Sequence, residues 1–247
     1  MAHFCYTFDG STLLIYVNGQ NVSATATSGF GLPSTSFIGN RDGSSGKWEG
    51  DIDDVRIYNR ALSATEVAYL YNSGAAQIAA SSATLQNGTT LQNGLVGLWT
   101  FDGNDINWTS ETVADRSGQG NTGTLNGLNQ RSAVGGHLGQ ALSFDGSTSY
   151  VINSGFSLLG KSAATISAWF KTSSGQTNKY IVSVPNNSSG GDNGFDLHLK
   201  DATTLESWLN TTKPTPDSTR PSTIRMASGI TMSLPMTALR RLSILME

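Results

Sequence analysis

Residues 3–19 read His-Phe-Cys-Tyr-Thr-Phe-Asp-Gly-Ser-Thr-Leu-Leu-Ile-Tyr-Val-Asn-Gly, which is two strands joined by an Asp-Gly turn and followed by an Asn-Gly turn. Such dipeptides supply the positive-φ positions of tight hairpins, so a chain that begins this way is committed early to antiparallel β structure. Leu13, Ile15 and Val17 alternate with Leu14, Tyr16 and Asn18; both faces are largely apolar, and the strand is predicted to be central in its sheet. Further along, Val55 and Ile57 point one way while Asp54, Arg56 and Tyr58 point the other. Ser63 with Glu66 three residues later forms a capping box, and Val67, Leu70 and Tyr71 give the short helix behind it an apolar face.

Composition agrees with many short strands and tight turns: 28 glycines and only 13% charged residues. A net charge of −3 leaves no electrostatic footprint for nucleic acid or an anionic membrane. No apolar run reaches the length that spans a bilayer. No signal peptide is visible, and Met1 falls inside the first strand pattern. Cys5 is the sole cysteine, so no internal disulfide forms; it is read either as a buried strand residue or as a thiol separated from its partner.

Longer motifs carry a family resemblance. Gly94-Leu-Val-Gly-Leu-Trp-Thr-Phe-Asp102, then Asp115-Arg-Ser-Gly-Gln-Gly-Asn121, Gly139-Gln-Ala-Leu-Ser-Phe-Asp-Gly and Thr165-Ile-Ser-Ala-Trp-Phe170 occur in that order. The stretch from 94 to 200 resembles the first half of a laminin-G-like (concanavalin A-like) jelly-roll domain. Residues 1–72, with Leu14-Ile-Tyr-Val-Asn-Gly19 and Gly50-Asp-Ile-Asp-Asp-Val-Arg-Ile-Tyr-Asn-Arg, resemble the second half of one. The order of the halves is therefore reversed. Residues 73–93 are Ala, Ser, Thr, Gln, Asn and Gly, with Leu-Gln-Asn-Gly at 85–88 and 91–94, and are read as a linker. The fold implied is all-β, an antiparallel jelly-roll sandwich. It either closes as a circular permutation or leaves two half-sandwiches with open edges.

After Leu209 the composition changes to Pro214, Pro216 and Pro221, then Arg225, Met226, Met232, Met236, Arg240, Arg241 and Met246. Methionine has a single codon. A frame moved by two bases turns Met226-Ala and Met246-Glu into Gly and Met236-Thr into Asp, toward the pattern of residues 3–19. Residues 201–247 are accordingly expected to be a frameshifted, disordered tail without an evolved fold.

Three groups of residues bear on chemistry. Glu49, Asp51 and Asp53 alternate along one strand and share a face; related glucanases place retaining carboxylates at such spacing, about 5–5.5 Å apart, but this run lacks the final Glu and is read as structural. Asp102, Asp115, Ser117 and Asn121 are oxygen donors on a strand end and a Gly-rich loop, a set that suits calcium; the competing reading is turn chemistry, Asp and Asn bonding their own backbone amides. His3, His137 and His198 match no metal spacing. Among the tryptophans, Trp99 and Trp169 lie inside strand motifs and are expected in the core, while Trp48 and Trp108 lie in loop-like segments and are the candidates for ligand recognition.

The resemblance implies a non-catalytic binding or adhesion module of a secreted or cell-surface multidomain protein. Its ligands would be glycans or extracellular proteins, with structural calcium and neighbouring jelly-roll domains. A glycoside hydrolase and a structural spacer are the alternatives.

Overall fold

The computed structural model describes residues 1–26, 35–72, 91–155, 158, 161–172, 176–185, 194–201, 204–209 and 222–225. The first segment is a meander of β1 (Ala2–Phe8), β2 (Thr12–Val17) and β3 (Gln20–Ala26). The predicted hairpin turn forms as read, with the Asp9 carboxylate accepting the backbone N–H groups of Ser11 and Thr12. β4 (Ser36–Ile38), β5 (Glu49–Tyr58) and helix α1 (Ala64–Asn72) follow. Then come β6 (Leu95–Trp99), β7 (Ile106–Asn107), β8 (Thr112–Val113), β9 (Gly123–Asn126), β10 (Ala133–Gly135) and β11 (Gln140–Asp145). The last strands are β12 (Tyr150–Asn153), β13 (Ala164–Lys171), β14 (Lys179–Pro185), β15 (Gly194–Asp201), β16 (Thr204–Leu209) and β17 (Ser222–Arg225).

These strands form two antiparallel sheets. The first runs β10-β11-β5-β13-β1-β2-β3, with β6 also paired to β5; the second runs β17-β16-β15-β14-β4-β12-β9-β8-β7. The orders are interleaved in sequence. β13 lies between β5 and β1, both from the first seventy residues, and β4 lies between β12 and β14, both from the second part. The two parts thus close on each other as one permuted sandwich. Between the sheets sits a core that includes Phe4, Tyr6, Phe8, Ile15, Ile52, Val55, Trp99, Ile166, Phe170, Val182, Phe195 and Leu197.

β5 is the pivot of the first sheet. Its first part pairs with β11 and its second part with β6, while β13 flanks it along most of its length. Opposite β13 the register slips between Ser167 and Trp169, and Asp54 there has φ +50. Such a bulge adds a residue to one strand. Ile52 and Val55 therefore both reach the core while Asp53 and Asp54 both stay off it.

The far side of this sheet carries a second apolar cluster. Cys5, Tyr16 and Tyr58 pack with Leu62, Val67 and Leu70 of the α1 region and with Leu91, Leu95 and Leu98. The capping box is present: Ser63 N–H donates to Glu66 Oε2 at 2.8 Å, and Glu66 N–H donates to Ser63 Oγ at 3.3 Å. Arg60 adds an ion pair to Glu66 at 2.6 Å. Cys5 is fully buried, as expected of a strand thiol.

Of the stretch 73–93 read as a linker, residues 73–90 lie outside the described residues. Leu91 is 6% exposed and belongs to the second cluster, so the fold resumes before Gly94. The boundary drawn at Lys200 falls inside β15, and the tail expected to lack structure includes β16 and β17. The physical reason is local: Leu205 lies opposite Leu199 and is buried in the core, so strand pairing continues past the boundary. Residues 210–221 and 226–247 lie outside the described residues.

Candidate functional site

On the far side of the first sheet, next to α1, polar side chains are packed without solvent. Arg56 is 1% exposed and Asp54 3% exposed; the guanidinium donates to both carboxylate oxygens, with Nη2 at 2.8 Å from each. Burial works against the Arg56 charge, but the adjacent Asp54 carboxylate overrides it and holds the pKa above its ordinary value. His3 Nε2 lies 2.8 Å from Ser167 Oγ, and its Nδ1 is buried with no hydrogen-bond partner. Burial, then the charges of Arg56 and His137, push the His3 pKa down to about 3, so the ring is neutral. Nothing in the spacing of His3 and His137 signals that they converge. Both rings meet Trp169, at centroid distances of 5.1 and 3.4 Å, and Tyr71 stacks on the same indole at 5.6 Å.

The carboxylate run separates by environment. Glu49 is exposed, Asp51 pairs with Lys171 Nζ at 3.3 Å, and Asp53 is buried beneath the turn joining β10 to β11. Asp53 Oδ2 accepts the backbone N–H groups of His137 and Leu138 at 2.8 and 3.1 Å, while its Oδ1 has no partner. Burial, with help from Asp54 and Asp102, pushes its pKa up to about 7 against the two hydrogen bonds. A carboxyl group raised in the folded state contributes stability that is fully present below its unfolded value of 3.8 and is lost as pH rises through 7. His3 acts oppositely: its contribution is present above 6.5 and lost as pH falls toward 3. Asp53→Asn keeps an acceptor for both N–H groups and leaves His3 untouched. The variant is expected to gain in melting temperature over the parent at about pH 8 and not at about pH 4. An equal difference at both pH values would mean that Asp53 ionises normally.

The four oxygen donors expected to bind calcium do not fit one cation. Asp115 Oδ1 accepts the N–H groups of Leu98 and Ser117 at 2.9 and 2.8 Å; Oδ2 accepts Ser117 Oγ–H and Asn121 N–H at 2.7 and 2.9 Å. Both oxygens are thereby saturated. Asn121 Nδ2 donates to Val96 O, and Asp102 Oδ1 instead accepts Gln140 N–H at 2.9 Å. Turn chemistry is what these residues do. Among the described residues, no group of three or more His, Cys, Asp and Glu side chains could hold a metal.

Trp48, expected as an exposed recognition residue, is 0% exposed and lies in the core, edge-on to Phe170 at 5.6 Å. Its place in a loop-like segment hid its direction: the backbone on either side ties into the sandwich, with Trp48 N–H donating to Gly39 O and Trp48 O accepting Gly146 N–H. Trp108 is partly buried and packs on the core margin. Trp99 is core as expected, its Nε1–H donating to Asn121 O at 3.0 Å. Trp169 is buried too, but on the far side of the sheet under His137 and Tyr71.

The outer face of the second sheet presents a different surface, which the sequence reading did not single out. Along β12 and β4, Val151 and Ile38 enter the core while Tyr150, Ile152 and Phe37 face away from it. Phe37 lies 6.2 Å from Tyr150. On β14 and β15, Tyr180 stacks on His198 at 4.5 Å, and His198 Nδ1 lies 2.9 Å from Asp196 Oδ1. The loop between β4 and β5 bends over this strip. Gly46 has φ +67, and a Cβ there would come within 2.5 Å of the Tyr180 ring, so the loop approaches as closely as it does because that residue is glycine. The loop sets the Arg41 guanidinium 5.7 Å from the Tyr180 centroid and Lys47 Nζ 5.6 Å from that of Tyr150. Lys47, Tyr150, Ile152, Arg41 and Asp196 are all partly solvent-accessible.

Two antiparallel sheets packed face to face around a shared core define an all-β jelly-roll sandwich. Residues 1–68 match the family model of the concanavalin A-like lectin/glucanases superfamily. No curated protein and no solved structure matches the chain.

Proposed function

We propose that the protein is a non-catalytic binding or adhesion module, secreted or at a cell surface, that takes a glycan or an extracellular protein on the outer face of its second sheet. The observation that carries this reading is the partly exposed Tyr150 ring with Lys47 Nζ 5.6 Å from its centroid, bordered by Ile152, Arg41 and Asp196 and backed by the buried rings of Phe37, Tyr180 and His198. Aromatic faces and polar groups held on one rigid sheet suit recognition of a polyhydroxylated or peptide ligand. Hydrolysis finds less support. Asp53 is covered by a turn and Asp51 is held by a lysine, so the carboxylate run offers no open acid and nucleophile pair.

The test is a glycan array and a panel of extracellular matrix proteins, probed with the parent and with Lys47→Ala/Tyr150→Ala. Loss of cation–π and ring contact is expected to weaken binding about tenfold or more with the melting temperature unchanged. Trp108→Ala, away from the strip, should bind as the parent does. Binding lost in Trp108→Ala but kept in the double variant would place the ligand elsewhere, and release of reducing ends from a bound polysaccharide would make the protein an enzyme.

A further inference from the structure

The two parts of the chain donate strands into each other's sheets. β13 forms backbone ladders on both sides, Ala164–Phe170 against Ala2–Phe8 of β1 and Thr165–Lys171 against Asp51–Tyr58 of β5. In return, β4 fills the place between β12 and β14. The seam between the parts is core in character: Phe170 meets Trp48 at 5.6 Å and Phe195 meets Tyr6 at 4.3 Å. Residues 1–72 without β13 would leave β1 and β5 each with an unpaired edge facing a strand-wide slot. Such a slot is filled only by an extended segment of matching register and alternation.

We propose that a second copy of this chain fills that slot, with the two copies exchanging β13 and β4 reciprocally. Each exchanged sandwich contains the same ladders and the same core contacts as the closed monomer. The balance between the two forms is therefore set by effective concentration rather than by new contacts. The two parts are joined covalently through residues 73–90. A connection of this length holds them at an effective concentration on the order of millimolar. Dilute chains close on themselves, and chains folding at comparable concentration exchange.

Asp51 and Lys171 are register partners across the β5–β13 ladder, and their side chains meet at the surface. Adjacent strands bring paired Cα atoms within disulfide reach. The test uses three full-length variants: Asp51→Cys, Lys171→Cys and Asp51→Cys/Lys171→Cys. The double variant refolded at about 1 µM in oxidising buffer is expected to form the 51–171 bond within one chain. The two single variants, unfolded, mixed and refolded together at about 1 mM, are expected to give a soluble heterodimer joined through that same bond. Light scattering would show twice the monomer mass, and peptide mapping would separate the bond from any involving Cys5. The heterodimer yield should fall at least tenfold when the mixture is refolded at about 1 µM. A soluble fraction that stays monomeric at about 1 mM, without a 51–171 bond between chains, overturns the exchange. Failure of the double variant to close overturns the strand order on which it rests.

Discussion

Arg56→Met is expected to lower stability by about 3–5 kcal/mol, the loss typical of removing one partner from a buried ion pair. The arginine spans the outer side of β5, and its guanidinium binds the Asp54 carboxylate through three hydrogen bonds in a region closed off from water. Removing it leaves Asp54 buried with its charge uncompensated. The cost then arises from the stranded carboxylate more than from the lost bonds. The double variant Asp54→Asn/Arg56→Met removes both charges. It is expected to recover more than half of the loss, since Asn tolerates the left-handed backbone that Asp54 adopts at φ +50. The measurement is urea unfolding of the parent, both single variants and the double. For a chain of this size the single variant should melt about 10 °C lower. If the double variant loses as much as the sum of the singles, the pair is not coupled and the burial of its charge is not what makes Arg56 costly to remove.

Trp48→Ala is expected to cost about 3–5 kcal/mol, while Trp108→Ala costs clearly less. Trp48 is fully enclosed, edge-on to Phe170, and deleting the indole leaves a void bordered by both sheets. Its Nε1–H has no acceptor, so the polar end of the ring contributes nothing that a smaller aromatic would lose. Trp48→Phe should therefore retain most of the stability. A recognition residue would give the reverse pattern, with an unchanged unfolding midpoint in Trp48→Ala and a lost ligand. Unfolding curves for the three variants, set beside the glycan and protein panels, distinguish the two roles.

Much of the backbone architecture was legible in the sequence because local chemistry dictated it. Asp-Gly and Asn-Gly turns, the alternation along β2 and from Asp54 to Tyr58 of β5, and Ser63 with Glu66 before α1 act over a few residues, and each forms as read. What escaped depends on residues distant in sequence. Phe37 meets Tyr150 only because β4 pairs with β12, and Tyr180 meets His198 only because β14 pairs with β15. The convergence of His3 and His137 on Trp169 needs β1 beside β13 and the β10–β11 turn folded back onto it. The bulge at Asp54 shifts the inward and outward pattern by one residue, which simple alternation cannot anticipate. Asp102, Asp115 and Asn121 turn to nearby backbone groups for a related reason. Oxygen-bearing side chains on a loop rim look the same in sequence whether they face a cation or their own backbone. Here the backbone amides of Leu98, Ser117 and Asn121 claim Asp115 first.

The placement of β13 also sets a timetable for synthesis. β5 emerges from the ribosome roughly 105 residues, and β1 roughly 155 residues, before the strand that belongs between them. At about 5–20 residues per second, the early strands wait on the order of ten seconds with their inner edges unmatched. The nascent chain is therefore most exposed to association with its neighbours on the same message while it is still being made.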